Sequence, residues 1–136
     1  LVGVDDLLHG RRVGMLAREL ARQLGFDDQV QLLLYDAGLL HDCGKCVSHL
    51  GTTGRVIATL SAKVAGRDMA EAWSETTGFT RRVGLYLEHP RLGADLLGLA
   101  GSAPLTVAWA AEHHLPPEDW TVPQDVGHVL KDADDD

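Results

Sequence analysis

The stretch LLLYDAGLLHDCGKC, residues 32–46, closes an apolar run on a His-Asp doublet and follows it at once with two cysteines flanking Gly44 and Lys45. Two chemistries compete for it. As a Cys-x-x-Cys pair it suggests thiol redox or half a zinc knuckle. As a His-Asp doublet at the end of a Leu-rich helical run it suggests a hard-metal site. The chain has only two cysteines, so the second pair that a knuckle needs is missing. A redox pair needs a thiolate-stabilising helix start in a strand-to-helix context, whereas this pair follows the end of an apolar helix. Cys43 and Cys46 therefore read as small buried hydrophobes beside the site, near enough to make it sensitive to oxidation.

Outward from this stretch, apolar residues recur at helical spacing almost throughout and β-branched alternation is scarce, so the expected fold is all-α. A first helix should run from about Asp5 to Leu24 and stop at Gly25. Asp27 or Asp28 then caps a second one that reaches about Asp42, which makes an antiparallel pair with a tight turn. The segment from Thr52 to Leu87 reads as two or three helices with breaks near Gly66 and Gly78. Pro90 suits the first turn of a helix to Leu99, and Ser102 and Pro104 suit the cap and first turn of a helix to His114. LPPEDWTVPQ, residues 115–124, reads as loop, and a last helix covers Val126 onward.

At 136 residues the chain has the length of one domain with one core. Its 20 acidic against 12 basic residues and formal charge of −8 exclude duplex nucleic acid as the leading partner. The pairs Arg11/Arg12 and Arg81/Arg82 leave a small anionic ligand open. With no disulfide framework, a reducing, cytoplasmic setting is expected. The longest uncharged stretch, Leu96 to Ala111, is broken by Gly98, Gly101 and Pro104 and is shorter than the roughly 20 residues of a membrane span, so neither a membrane helix nor a signal peptide is expected. The chain begins without Met and stops at DADDD in mid-helix, as a fragment or a chain lacking its C-terminal end would.

The apolar stripes end on histidines. His9, Val13, Leu16 and Leu20 share one helical face; so do Val30, Leu34, Ala37 and His41, and again Leu105, Trp109 and His113. A single inward histidine is commonly a core residue with a satisfied hydrogen bond. Three aimed at one core are costly to desolvate without a common partner, and a shared metal cluster supplies one. Helix neighbours project about 100° apart, so His41-Asp42 and His113-His114 each suit a site with two ions. Asp42 has two carboxylate oxygens with which to bridge them. Mixed imidazole and carboxylate ligation suits Fe, Mn, Zn or Ni better than Ca.

In this order along the chain, HGRRVGMLARELARQLG (9–25), LLLYDAGLLHDCGK (32–45), EHPRLGADLL (88–97), EHH (112–114) and LKDADDD (130–136) resemble the HD superfamily of metal-dependent phosphohydrolases. They match its His-x-x-Arg, His-Asp-x-Gly-Lys, His-Pro-x-x-Gly-Ala, paired-His and Ala-Asp elements. The resemblance implies one HD domain over residues 1–136, a helical bundle around a buried dinuclear metal site. It implies as metal ligands His9, His41, Asp42, His89, His113, His114 and Asp134, the last chosen from the tail because Ala133 precedes it and Leu130 lies one turn back. Asp42 and Lys45 would be catalytic. Lys45 would meet a substrate phosphate, and Arg12 would either clamp it or pair with an acid. Asp5 falls where some relatives have a third-metal carboxylate, but is read as a cap.

The activity so implied is hydrolysis of a nucleotide or other small phosphoester by water activated at two divalent ions, Fe or Mn first, then Zn, Ni or Mg. Within the superfamily the chain is similar to the HDIG-type, paired-His members. The HD-GYP branch, which hydrolyses cyclic di-GMP, carries Gly-Tyr-Pro after the paired histidines; here HHLPPEDW follows, which demotes that substrate. A mixed-valent diiron oxygenase and a non-catalytic nucleotide-binding regulatory module are the alternatives. The oligomeric state and the role of residues 47–87 are left open. His49 reads as an exposed loop residue, His128 as structural, and Trp73, Trp109 and Trp120 as core or pocket wall.

Overall fold

The computed structural model describes residues 4–48, 50, 52–66 and 68–135. His49 and Asp136 lie outside them, and of Asp5 only the backbone is described. The helical spacing becomes eight α-helices among the described residues, with no strand: α1 Val4–Gln23, α2 Asp28–Leu40, α3 Thr52–Ala65, α4 Met69–Ser74, α5 Gly78–Leu87, α6 His89–Leu99, α7 Pro104–Glu112 and α8 Gln124–Asp135. Short 3-10 turns cover Cys43–Ser48 and Pro117–Asp119. No described helix is long and apolar enough to cross a membrane.

Gly25 takes φ 81°, a left-handed conformation that reverses the chain after α1. The Asp27 carboxylate then accepts from the Val30 backbone N–H at 2.9 Å and caps α2. The two helices pack antiparallel with almost no space between their backbones. A Cβ on Gly14 would stand 2.7 Å from the Tyr35 carbonyl oxygen, and one on Gly38 would stand 2.9 Å from the Gly14 Cα. Any larger residue would wedge the pair apart. This closeness brings the His9 and His41 rings to 5.5 Å.

The main core joins α1, α2, α7 and α8 through Val13, Ala17, Leu34, Ala37, Trp109, Leu130 and Ala133, all wholly buried. Burial of Leu34 and Leu130 stabilises by about 1.5–3 kcal/mol each. A second, smaller cluster of Leu50, Ala58, Ala62, Ala70, Val83 and Leu87 holds α3, α4 and α5 together. It is rich in alanine, and it leaves Val56, Ile57, Leu60 and Val64 of α3 facing solvent. The Cys43–Ser48 turn packs on both α5 and α6 and joins this subassembly to the main core.

Several boundaries differ from expectation. Helix α2 stops at Leu40, with His41 as its C-cap and Asp42 beyond it; α7 likewise stops at Glu112 with His113 as its C-cap. Both doublets thus sit at helix ends rather than on helix faces. Ser102 does not cap α7: the N-cap is Ala103, with no side-chain cap bond. Residues 115–124 are not all surface loop, because Trp120 is buried against Trp109, with ring centroids 5.4 Å apart. The α3–α5 breaks do fall at Gly66 and Gly78, with φ 84° and 64°.

Candidate metal centre

Three helices direct their C-terminal ends at one point. At each end a last-turn carbonyl accepts a hydrogen bond from a histidine Nδ1: Gly38 from His41 at 2.6 Å, Tyr86 from His89 at 2.8 Å, and Ala110 from His113 at 2.9 Å. A carbonyl can only accept, so each neutral ring carries its proton on Nδ1 and aims the bare Nε2 inward. The partial negative charge at the ends of α2, α5 and α7 adds a field that favours a cation.

Asp42 occupies the middle. Its Oδ1 lies 3.2 Å from His89 Nε2 and 3.1 Å from His113 Nε2, and its Oδ2 lies 3.2 Å from His41 Nε2 and 3.6 Å from His9 Nε2. Asp134 Oδ1 joins the second group, at 3.0 Å from His9 Nε2 and 3.4 Å from His41 Nε2. The potential ligand atoms of Asp42, His89, His113 and His114 all lie within 4.8 Å of one another, as do those of His9, His41 and Asp42. Two donor sets therefore share one carboxylate. The seven expected ligands are brought together from α1, α6, α8 and the caps and turns that follow α2 and α7.

These donors fit divalent cations. His41 Nε2 is buried and has no hydrogen-bond partner; the two carboxylate oxygens near it are close but not in line for one. His89 and His113 oppose their Nε2 atoms at 3.3 Å, and two lone pairs so placed need a proton or a metal between them. Imidazole with carboxylate is a ligand set for Fe, Mn, Zn or Ni.

Without metal, protons take up this role. Burial of His41 opposes its protonation, but the Asp134 and Asp42 carboxylates outweigh burial, and its pKa is pushed up to about 10. Burial would raise Asp42, yet His113, His41 and His89 around it hold its carboxyl far below the usual range. Against its own burial, Asp134 is drawn down to about 2 by His41. Burial depresses His89, and Asp42 only partly offsets this. A raised His41 contributes stability in full below pH 6.5 and loses it as pH climbs toward 10. A depressed His89 contributes above pH 6.5 and loses stability as pH falls below it, and the two carboxylates do the same below 3.8. Chelator-treated protein is therefore expected to be most stable near pH 6.5, with urea midpoints falling on both sides; a flat profile from pH 5 to 9 would contradict this placement of charges.

Around the donors, Lys45 Nζ binds Asp42 Oδ2 at 3.0 Å and is mostly shielded. Arg12 is exposed and lies 3.2 Å from His9 Nδ1. When that nitrogen accepts the bond, the neutral His9 ring holds its proton on Nε2, opposite to the tautomer of the other three. His114 is exposed, its ring 4.3 Å from that of His113. Gly44 explains how the His89 side reaches Asp42. A Cβ there would meet the His89 carbonyl oxygen at 2.1 Å and the Gly93 nitrogen at 2.6 Å, so the turn and the start of α6 touch through their backbones.

The cysteines are half-buried rather than buried as expected, because their turn lies at the rim of the core. Burial, with Cys46 and Asp42 nearby, pushes the Cys43 thiol up to about 11, which keeps it protonated and unreactive at neutral pH. His128 is exposed, with its ring 5.2 Å from Trp120. Sequence spacing missed Glu112, a buried carboxylate that accepts from the Thr121 backbone N–H and, at 2.9 Å, from its hydroxyl, so tying the loop after His114 to the end of α7. It also missed Asp6, Arg55 and Tyr86. Asp6 and Arg55 are 49 residues apart, and no local pattern pairs them.

Residues 7–135 match the family described as HD domain. The 3'3'-cGAMP-specific phosphodiesterase 1 of Vibrio cholerae serotype O1 is 44% identical over 43 residues, which are 32% of this chain and 10% of that protein. The match thus spans about a tenth of the length of that curated relative. No solved structure matched the chain.

Proposed function

Because the chain belongs to the HD domain family, we propose that it is a metal-dependent phosphohydrolase that cleaves a nucleotide or other small phosphoester at a dinuclear centre. The observation that carries this reading is the division of Asp42, one oxygen toward His89 and His113 and the other toward His9 and His41. His9, His41 and Asp134 would hold one ion, His89, His113 and His114 the other, and Asp42 both. Such a pair of cations, when bound, makes water acidic enough to attack at neutral pH and neutralises charge on the phosphoryl oxygens. The chain's part is to place charge. Three imidazoles are locked by backbone carbonyls, so little reorganisation is needed. Lys45, anchored on Asp42, meets a phosphate oxygen as a point charge. Arg12 and His114 are both exposed beside these donors.

The relative named as a 3'3'-cGAMP-specific phosphodiesterase supports a nucleotide phosphodiester as the substrate class. The missing Gly-Tyr-Pro after His114 still argues against cyclic di-GMP. The test is a screen of protein loaded with Mn or Fe against mononucleotides, cyclic dinucleotides and generic phosphoesters, each with and without chelator. Expected is chelator-sensitive hydrolysis that Mn supports, read as inorganic phosphate from monoesters and as a linear or mononucleotide product from cyclic dinucleotides. Oxygen uptake that demands Fe would point instead to the diiron reading, and nucleotide binding without turnover to a regulatory module.

A further inference from the structure

Between α3 and α5, outside the metal centre, a cleft of about 350 Å³ is lined by Arg55, Val56, Thr59, Leu60 and Tyr86. Its volume is at the lower end of small-molecule sites. Tyr86 is its link to the chemistry. The Tyr86 ring lies 5.6 Å from the His89 ring, and Lys45 Nζ stands 5.8 Å from its centroid while also holding Asp42. The Arg55 guanidinium lies 5.5 Å from the same centroid. It is held rigid: both Nη atoms bind the Asp6 carboxylate, one of them at 2.6 Å, and Nε donates to the Leu50 carbonyl at 3.1 Å. Val56 and Leu60, 54% and 56% exposed, add apolar surface to the lining.

We propose that this cleft is a nucleobase subsite, in which the base packs between Tyr86 and the Val56/Leu60 wall while the phosphoester reaches Lys45 and the metal centre. The inference rests on the phosphohydrolase reading and gives it a substrate class: esters that carry an aromatic base. A base needs an aromatic surface, an apolar wall and a nearby cation, and the cleft has all three. Charge separates it from another large opening among the described residues. That cavity, of about 430 Å³ beside His114, has Glu88 and Asp95 in its lining, and both hold Arg91. With Arg91 also in that lining, one negative charge is left in excess there, whereas no carboxylate is among the described residues that line the Tyr86 cleft. The site also gives residues 52–87 a role: α3 is strapped to α1 by Arg55 and Asp6, one turn before His9, so that the cleft keeps its place relative to the metals.

The experiment is calorimetric binding of inorganic phosphate, adenosine monophosphate and guanosine monophosphate to the Mn-loaded chain and to two variants. Tyr86→Leu keeps bulk and the backbone carbonyl that orients His89 but removes the ring; Leu60→Gln makes the exposed wall polar without adding charge. Expected is a nucleotide preference over phosphate of at least about tenfold, lost largely in Tyr86→Leu and weakened in Leu60→Gln, the second with phosphate affinity and metal content unchanged. A nucleotide that binds no tighter than phosphate, or variants that leave the preference intact, would overturn the subsite alone. Loss of phosphate binding together with nucleotide binding in Tyr86→Leu would also overturn it, because a merely structural role gives that result. If the wild-type chain binds Mn but neither phosphate nor nucleotide, the phosphohydrolase reading falls, and this one with it.

Discussion

Asp42→Ala is expected to remove both metals at once and to lower phosphoester hydrolysis by about 10³-fold or more. The cause is the sharing of one carboxylate by two donor sets: each set loses its only common anion, and five side chains lose a partner within 3.6 Å. Asp134→Ala is the control, since Asp134 faces only His9 and His41, and should cost mainly the ion on that side. Metal analysis of dialysed protein separates the two. Metal-free Asp42→Ala should in addition be about 3–5 kcal/mol less stable in urea at pH 6.5, because buried imidazoles that shared a charge lose it. Asp42→Asn keeps the shape and should fall between them in stability while still failing to hold metal. Full metal content in Asp42→Ala would refute the bridged arrangement.

Gly44→Ala should be nearly as damaging, although it alters no ligand. Its Cβ would have to enter the space of the His89 carbonyl oxygen and the Gly93 nitrogen, and backbone atoms cannot rotate away as a side-chain tip can. The turn must withdraw from α6, at an expected cost of about 3 kcal/mol. His89 then moves off Asp42, so metal content should drop toward one ion per chain, the His9/His41 side being retained. Gly98→Ala, on the helix that the Gly44 turn touches, supplies the comparison. Nothing lies within 4 Å of a Cβ there, and alanine should stabilise α6 by about 0.5–1 kcal/mol. Equal urea midpoints for the two variants would show that the Gly44–Gly93 contact is not what holds the turn.

Legibility followed the range of the interaction that decides each feature. The cap at Asp27, the reversal at Gly25 and the breaks at Gly66 and Gly78 involve residues within a few positions of one another, and helical periodicity with Gly and Asp preferences reveals them. Periodicity carries α2 to about Asp42 and α7 to His114, two residues past their ends, because it continues through His41 and His113 while the chain turns there to pack. Ser102 looked like the better cap, yet the geometry of the α6–α7 turn put Ala103 in that position.

The same distinction holds for the centre. Residue types in their order, His9, His41-Asp42, His89, His113-His114 and Asp134, were enough to name the family and to single out candidate donors, because metal chemistry restricts which side chains can serve. Order does not say how they meet. His113 lies 71 residues from Asp42, and only packing decides that their side chains touch, that three rings give their Nδ1 protons to helix-end carbonyls, and that Asp42 divides its oxygens. Packing also joined Asp6 to Arg55, 49 residues away, a pairing that leaves no trace in spacing. Short-range preferences are written along the chain, whereas contacts between distant segments exist only once the helices have buried their apolar faces against one another.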